Sequence, residues 1–256
     1  MGMSLGLIGS GGSLITLPVF VYLLHINPVV ATGYSLFTVG ATSAVGAVKN
    51  YFSGNVKLDE AVMSALPASM VTFATRLWIM PAIPTILFSI GGISVQRDVV
   101  IMIVFAFFAF QAGIRMYKTQ PIDVSGRKEE TKNRRLTLLL LGVAVGLLSG
   151  FLGAGGGFLI VPALVLILGI DIKEAVGTSL FIIAFNSFIG FLGDLKAGYN
   201  IDWKLLISYT AMSVIGIFVG MYLSKHIKDK ALKKGFAIFT FIVSFYIIVI
   251  ELMLVF

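Results

Sequence analysis

Residues 136–169 carry no charged side chain, and five glycines lie within this stretch between positions 150 and 157. As a single helix these 34 residues would be about 50 Å long, whereas the hydrocarbon core of a bilayer is about 30 Å thick. Irregular backbone at membrane depth is tolerated only where it is buried in protein or lines a wet cavity. We therefore predict a membrane helix over 136–152, a break at the glycines, and a short helix over 157–168 that forms a half-helix or a re-entrant hairpin.

Apolar stretches of membrane-spanning length recur along the chain. Hydrophobic residues make up 58% of the sequence and charged residues 12%, and the mean hydropathy is +1.00. Soluble domains carry about 25% charged residues. The composition therefore predicts an all-α polytopic membrane protein.

Several classes of protein are excluded by what the sequence contains. There is no cysteine, which excludes disulfides and thiolate-bound metals, and the two histidines are not spaced as a metal site. The net charge of +7 collects in two loops without interleaved aromatic residues, which indicates a membrane topology signal and not a nucleic-acid surface. An embedded enzyme is disfavoured, because no His/Asp/Glu cluster, HExxH motif or Ser/Lys pair lies within the apolar segments. We expect no cofactor and no metal.

The chain contains an internal repeat. When it is shifted by 144 residues, the stretch 6–54 aligns without gaps with 150–198, and 16 of 49 positions are identical. We therefore predict two homologous halves, residues 1–118 and 134–256, joined by a cytoplasmic linker over 119–133. The second copy has more apolar residues before its glycine motif, so Met1 is expected to lie inside the first span, after a truncated or mis-assigned start.

The positions of the basic loops predict the topology. Lysine and arginine gather at 115–135 and 224–234, and the positive-inside rule places both loops in the cytoplasm. Both reach the same side only if the chain turns back at the glycines. Each half then has about four transmembrane helices plus a glycine-broken half-helix or re-entrant segment, and this odd number makes the halves inverted repeats.

The glycine breaks predict an anion site. A short helix is expected to begin at Ser13 in one half and at Gly157 or Phe158 in the other. The first amides of such a helix lack intrahelical partners and lie at the positive end of its dipole. Nearby polar residues would complete a shared cavity. The candidate substrate-binding residues are Gly9, Ser10, Gly11, Gly12, Ser13, Gly153, Gly155, Gly156, Gly157, Ser35, Ser179, Asn186 and Arg76.

Other roles for these residues remain open. The glycines could serve close helix packing alone, and membrane serines commonly bond to their own helix. Arg76 either binds an anion or extends toward an interface beside Trp78; its counterpart in the repeat is Gly220. Asp194 and Glu251 are carboxylates that could couple protons, and we expect both near interfaces.

Two copies of GxGGxxxxxP are each followed by a similar stretch, ATGYSLF in one half and AVGTSLF in the other. In this the chain resembles the TauE/SafE sulfite exporter family, also called the toluene sulfonate uptake permease family. The resemblance implies a multi-pass permease of the prokaryotic inner membrane that moves small sulfur-containing anions. The first motif reads GSGGS instead of GxGGG, so the substrate itself is not carried over.

We therefore expect a secondary transporter that moves sulfite or an organosulfonate by alternating access. The alternatives are an anion channel, or a carrier for another small solute or a cation, because freed carbonyls at the same breaks could bind Na⁺. The expected partners are a small anionic substrate and the lipid bilayer, with no nucleic acid; a homodimer is left open.

Overall fold

A computed structural model describes residues 1–8, 13–90, 93–118, 134–166, 168–223 and 229–255. These residues form helices and one short β-ribbon. The helices are α1 (Gly2–Ile8), α2 (Ser13–Pro18), α3 (Pro28–Phe52), α4 (Leu58–Ala74), α5 (Met80–Ala82), α6 (Arg97–Lys118), α7 (Arg134–Leu152), α8 (Gly157–Leu166), α9 (Ile172–Lys196), α10 (Trp203–Leu223) and α11 (Asp229–Val255). A π-helical turn, Val19–Leu23, follows α2, and a second, Thr75–Ile79, joins α4 to α5.

Six helices in the described part of the chain are long and apolar enough to cross a membrane. They are Pro28–Phe52, Leu58–Ala82, Arg97–Ile114, Arg134–Leu152, Lys173–Lys196 and Trp203–Leu223. Large apolar side chains face outward along them, among them Met212 and Phe218 on α10. This outward apolar surface suits lipid, and the prediction of a polytopic helical membrane protein is confirmed.

The local signals in the sequence locate the helix starts well. The short helices begin at Ser13 and Gly157, as predicted. Helices α3 and α9 begin after equivalent N-caps: Asn27 Oδ1 accepts from the Val29 amide at 3.0 Å, and Asp171 Oδ1 accepts from the Lys173 amide at 2.9 Å. Both helices have 25 residues, and their starts are 144 positions apart. These caps are effective because they satisfy amides that the helix itself cannot.

The all-α prediction requires one correction. Between α5 and α6 the chain forms an antiparallel ribbon of strands β1 (Ile86–Ile90) and β2 (Ile93–Gln96). Its first strand is exposed, and its sequence alternates only weakly between apolar and polar residues. Helix α5 ends at its C-cap Ile83, which is extended as the residue before Pro84. The Arg97 amide donates to Thr85 O at 2.9 Å, which closes the ribbon at the start of α6.

Helices α3 and α9 lie side by side at the centre and run antiparallel. Gly33, near the start of α3, faces Asp194, near the end of α9, and Gly177, near the start of α9, faces Asn50, near the end of α3. These are the most buried of the spanning helices, at 72% and 67%. We call the two ends of the molecule the Asp194 end and the Lys57 end.

The remaining helices pair across the two predicted halves. Helix α4 runs parallel to α7, because Ser64 Oγ donates to Leu138 O and Thr72 Oγ1 donates to Gly146 O, two contacts with the same sequence separation. Helix α1 packs on α10 at close range, since a Cβ on Gly6 would meet the α10 backbone at Met221 N. Helices α6 and α11 pair antiparallel, with Gly113 against Thr240. Each half therefore supplies a partner for the other.

The chain reverses between α7 and α8. Helix α7 begins at the Lys57 end, where Arg134 pairs with Glu60, and runs inward to Leu152. Helix α8 then returns, so that Leu164 and Val165 pack in one cluster with Leu138 and Ala61 near the start of α7 and α4. As a result the helix ends that flank the linker 119–133 and the loop 224–228 lie at the same end of the molecule.

Candidate functional site

The break between α7 and α8 is built from glycines with left-handed backbone. Gly153, Gly155 and Gly156 have φ values of 65°, 64° and 73°. L-residues with a Cβ rarely adopt this region, whereas glycine does so at little cost. The Gly153 amide still donates to Ser149 O at 2.9 Å, which closes the last turn of α7 before the chain turns back.

This glycine turn is wedged between α3 and α9. A Cβ on Gly153 would lie 2.6 Å from Thr32 Cα, and a Cβ on Gly155 would lie 2.8 Å from Ile183 Cγ2 and 2.9 Å from Val39 Cγ1. There is no room for a side chain at either position. The turn, residues 153–156, is therefore buried, and it runs from near the start of α3, at Thr32, to the middle of α3 and α9, at Val39 and Ile183.

The N-terminus of α8 begins directly after this turn. The Ile160 amide donates to Gly156 O at 3.2 Å, the first bond of the helix. The amides of the three preceding positions therefore have no acceptor within the helix, and the partial positive charge of the dipole lies at that end. Helix α8 has 10 residues, about 15 Å of helix, so it extends from the centre to the Lys57 end only.

Two buried polar side chains beside the turn have unused hydrogen-bonding capacity. Ser187 Oγ is 3.1 Å from the position of a Cβ on Gly155 and has no hydrogen-bond partner. Asn186, also fully buried, meets Thr72 Oγ1 through Oδ1 at 2.5 Å, while its Nδ2 is unpartnered. Buried polar groups are normally paired, so each orphan group requires an explanation.

The other predicted residues do not all converge here. Gly9, Ser10, Gly11 and Gly12 lie outside the described residues, and for Ser13 only the backbone, at the start of α2, is described. Ser35 and Ser179 are both buried, but they lie near opposite ends of the antiparallel pair α3 and α9. Ser179 Oγ bonds to Val176 O of its own helix at 2.8 Å, whereas Ser35 Oγ has no partner.

Arg76 is fully buried and does not extend to an interface; the exposed side chain there is Trp78. Its guanidinium holds the Asp194 carboxylate with two bonds, Nε to Oδ1 at 2.6 Å and Nη2 to Oδ2 at 2.7 Å. Nη1 donates to Thr32 Oγ1 at 2.7 Å and to Gly150 O at 3.3 Å, and Nη2 also donates to Val29 O at 3.3 Å. All five N–H donors are used, so none is free for an anion in this conformation.

The pairing of Arg76 with Asp194 was not predicted from the sequence, which suggested an interfacial position for Asp194. Only 2% of Asp194 is exposed. The available signal was an arginine and an aspartate, each isolated in an apolar helix, since ionisable residues inside membranes normally pair. Glu251 is likewise buried, and accepts from Tyr22 Oη at 2.6 Å.

A crevice of about 10 Å³, with room for about one water molecule, borders the buried pair at the Asp194 end. Its lining includes Tyr34, Phe191 and, from the loop after α9, Tyr199 and Ile201. Burial raises the pKa of Tyr199, so its hydroxyl stays protonated to a higher pH than that of an ordinary tyrosine.

The family model for the sulfite exporter TauE/SafE matches residues 1–247. The chain belongs to the TauE/SafE family. Relatives named probable membrane transporter proteins occur in Xylella fastidiosa, with 27% identity over 97% of this chain and 91% of the relative, and in Haemophilus influenzae, with 29% identity over 95% and 92%. The protein YdhB of Bacillus subtilis has the same description, with 25% identity over 86% of this chain and 84% of the relative. No solved structure matches the chain.

Membership of the TauE/SafE family shows the general function. The family and the names of these relatives describe membrane transporters, not enzymes. The predicted family and the membrane and transport character of this TauE/SafE protein are thereby confirmed. Its spanning helices imply a multi-pass protein in a lipid bilayer, and the transporter family implies a small solute as its substrate.

Proposed function

We propose that this protein is a secondary transporter that moves a small sulfur-containing anion, such as sulfite or an organosulfonate, by alternating access. The single observation that carries the proposal is the position of the α8 N-terminus, buried at the centre of the molecule beside Ser187. The proposal places the substrate at the glycine turn, between α3 and α9.

The N-terminus of α8 supplies hydrogen-bond donors and partial positive charge, which a membrane interior otherwise lacks. Free amides and the helix dipole bind negative charge without a buried lysine or arginine. The Ser187 hydroxyl, which has no partner and is fully buried, adds a donor next to Gly155. Oxyanions such as sulfite and sulfonates carry several acceptor oxygens, which suits a cluster of amide and hydroxyl donors.

The arrangement of α3 and α9 supports the proposal of two inverted halves. These helices occupy equivalent places in the repeat and run antiparallel, and α4 and α10 each pack on a helix of the other half. Inverted repeats with a broken helix at the midplane are a common design of secondary transporters. Rocking of one half against the other would expose the central site to each side in turn.

The orientation follows from charge. Both basic segments are flanked by helix ends at the Lys57 end, so we place this end in the cytoplasm and the Asp194 end outside. We place the protein in the prokaryotic inner membrane, with the linker 119–133 between two membrane repeats. The homodimer stays a prediction.

A cation carrier is the second candidate, favoured by one observation at Asn186. The Thr72 hydroxyl has a single proton but lies near two acceptors, Gly146 O at 2.9 Å and Asn186 Oδ1 at 2.5 Å. If the amide of Asn186 is rotated, its NH₂ donates to Thr72 and its carbonyl oxygen is left free. A free carbonyl would suit a cation such as Na⁺, either alone or coupled to the anion.

Flux measurements on proteoliposomes test the proposal. We expect saturable uptake or release of sulfite, taurine or sulfoacetate, driven by a gradient. In Ser187→Ala the apparent KM should rise by roughly 10- to 150-fold, since one hydrogen bond to a charged group contributes about 1.5–3 kcal/mol. Ser244→Ala, which also removes a buried unpartnered hydroxyl but on α11, should leave KM unchanged.

The same liposomes separate the alternatives. Ohmic currents in a planar bilayer would show a channel, and flux that depends on Na⁺ but on no anion would show a cation carrier. Stabilisation of the purified protein by one anion among sulfite, sulfate, thiosulfate, taurine and sulfoacetate would name the substrate. If Ser187→Ala and Ser244→Ala have the same apparent KM, the glycine turn is not the binding site.

A further inference from the structure

Three ion pairs connect residues 1–118 with residues 134–256 in the described part of the chain. Arg76 pairs with Asp194 at 2.6 Å, Lys57 with Glu174 at 2.9 Å, and Glu60 with Arg134 at 2.7 Å. Each pair therefore joins the two proposed halves. Any motion of one half against the other must lengthen these ion pairs. The pairs therefore mark places where the two halves are held together.

The pairs differ in depth and in position. The Arg76 and Asp194 side chains are 0% and 3% exposed, whereas Lys57 and Glu174 are 46% and 30% exposed. Arg134 and Glu60 are 48% and 17% exposed. Arg76 and Asp194 lie toward the Asp194 end, and the two more exposed pairs lie at the Lys57 end. Exposed pairs contribute little because water and salt screen them, whereas separating a buried pair leaves charges without partners.

The chain makes room for the buried pair. A Cβ on Gly33 would lie 2.6 Å from Asp194 Oδ2, and a Cβ on Gly193 would lie 2.9 Å from Arg76 Cβ. Arg76 also lies in the π-helical turn Thr75–Ile79, a local widening that often occurs at functional positions. The pair thus lies in a site formed by α3, α4, α7 and α9.

The repeat does not reproduce this pair at the other end. At the offset of 144 residues, Gly220 takes the place of Arg76 and Asn50 takes the place of Asp194. Asn50 is neutral, and its Nδ2 donates to Gly46 O of its own helix at 2.9 Å. The two ends are therefore closed by different means: a buried charge pair at one, and neutral packing with exposed ion pairs at the other.

We propose that Arg76 and Asp194 form the gate that closes the Asp194 end, and that the exposed pairs Lys57–Glu174 and Glu60–Arg134 form a weaker gate at the Lys57 end. This inference rests on the alternating access described above. Opening the Asp194 end separates α4 from α9 and breaks the five hydrogen bonds of the Arg76 guanidinium. Because this gate is the stronger one, the protein rests closed at the Asp194 end and opens more readily at the Lys57 end.

Single cysteines can report both gates without background, because the chain contains no cysteine. Ser35→Cys lies on α3 one helical turn deeper than Thr32, which bonds Arg76, and is fully buried. Ser179→Cys is the equivalent position on α9, near the Lys57 end. Each is treated with a membrane-impermeant maleimide, in vesicles of both orientations.

The double variant Arg76→Gln/Asp194→Asn removes the charges without leaving one unpaired. Its labelling at Ser35→Cys from the Asp194 end should rise by at least about tenfold, as the open population grows. Labelling at Ser179→Cys should not rise. Arg76→Lys, which keeps the charge but offers three donors instead of five, should give an intermediate rise.

The matched control is Lys57→Gln/Glu174→Gln, which neutralises an ion pair at the other end. It should leave Ser35→Cys labelling unchanged. The proposal is overturned if folded Arg76→Gln/Asp194→Asn and Arg76→Lys both show the parent's labelling at Ser35→Cys. It is also overturned if labelling rises equally at Ser35→Cys and Ser179→Cys, because the pair would then only stabilise the fold.

Failure of the gate and failure of the proposed function can be told apart. Labelling requires no substrate, so an end-specific increase supports the gate even if none of the tested anions is transported. Conversely, normal sulfite or sulfonate flux together with unchanged labelling would retain the transporter and reject the gate.

Discussion

Individual glycines in this protein serve two separable purposes. Gly153 and Gly198 both have positive φ, at 65° and 79°, but only Gly153 also packs against another helix. Gly198 lies in the loop after α9, where an added Cβ would meet nothing within 4 Å. The two positions therefore separate the backbone requirement from the packing requirement.

Alanine substitution at these two glycines should give unequal losses. Gly198→Ala costs only the left-handed backbone, about 1–2 kcal/mol, and should lower the Tm in detergent slightly. Gly153→Ala adds a collision with the Thr32 backbone, so it should cost about 1–3 kcal/mol more and reduce the yield of folded protein. Equal Tm values for the two variants would mean that the glycine turn is not wedged against α3.

At the scale of elements, α3 and α9 both begin at an N-cap side chain, but the neighbouring contacts of the two caps differ. Asn27 and Asp171 both accept an amide of the first turn. Asn27 also donates through Nδ2 to Asp98 Oδ2 at 2.6 Å, which connects the start of α3 to the start of α6. At α9 the Glu174 carboxylate, in the first turn, binds Lys57 and raises the pKa of that ammonium.

Removal of the two caps should therefore have different effects. Asp171→Ala should cost about 1 kcal/mol, the usual effect of an N-cap, and Asn27→Ala should cost more because the bond to α6 is lost as well. Asn27→Asp keeps the cap but places a second carboxylate against Asp98, so at neutral pH it should be less stable than wild type. Thermal melts of the three variants measure these effects, and equal losses for the two alanine variants would argue against the α3–α6 connection.

At the scale of the whole molecule, the reversal at the glycine turn determines the topology. Helices α7 and α8 enter and leave at the Lys57 end, so α9 and α10 bring the chain back to the same end before α11. The linker and the loop 224–228 can then both face the cytoplasm, as their basic residues require.

Cysteine labelling in oriented vesicles tests this topology. Ser53→Cys, Ser125→Cys and Lys228→Cys should all react from the cytoplasmic side, and Ala197→Cys from the opposite side. The cysteine-free chain serves as the blank. Reaction of Ser125→Cys and Lys228→Cys from opposite sides would mean that the glycine segment crosses the membrane.

The sequence was informative wherever a local rule decides the outcome. Long apolar stretches require helices in lipid, which gave the polytopic class, and runs of glycine interrupt helices, which gave the starts at Ser13 and Gly157. The β-ribbon at Ile86–Gln96 was missed because its apolar residues alternate poorly and its pairing includes a register shift between Ile86 and Phe88. The sequence identified candidate residues on α3 and α9, but it did not show how close each one lies to either end of the molecule.

What the sequence by itself determined is the membrane character of the chain and the break in α7–α8, because backbone satisfaction and solvent preference act within a few residues of the chain. Only the tertiary structure decided that Arg76 meets Asp194, 118 residues away, and that Ser35 and Ser179 lie at opposite ends. Such contacts depend on which helix faces lie together and in which direction the helices run. Packing across the whole molecule sets both.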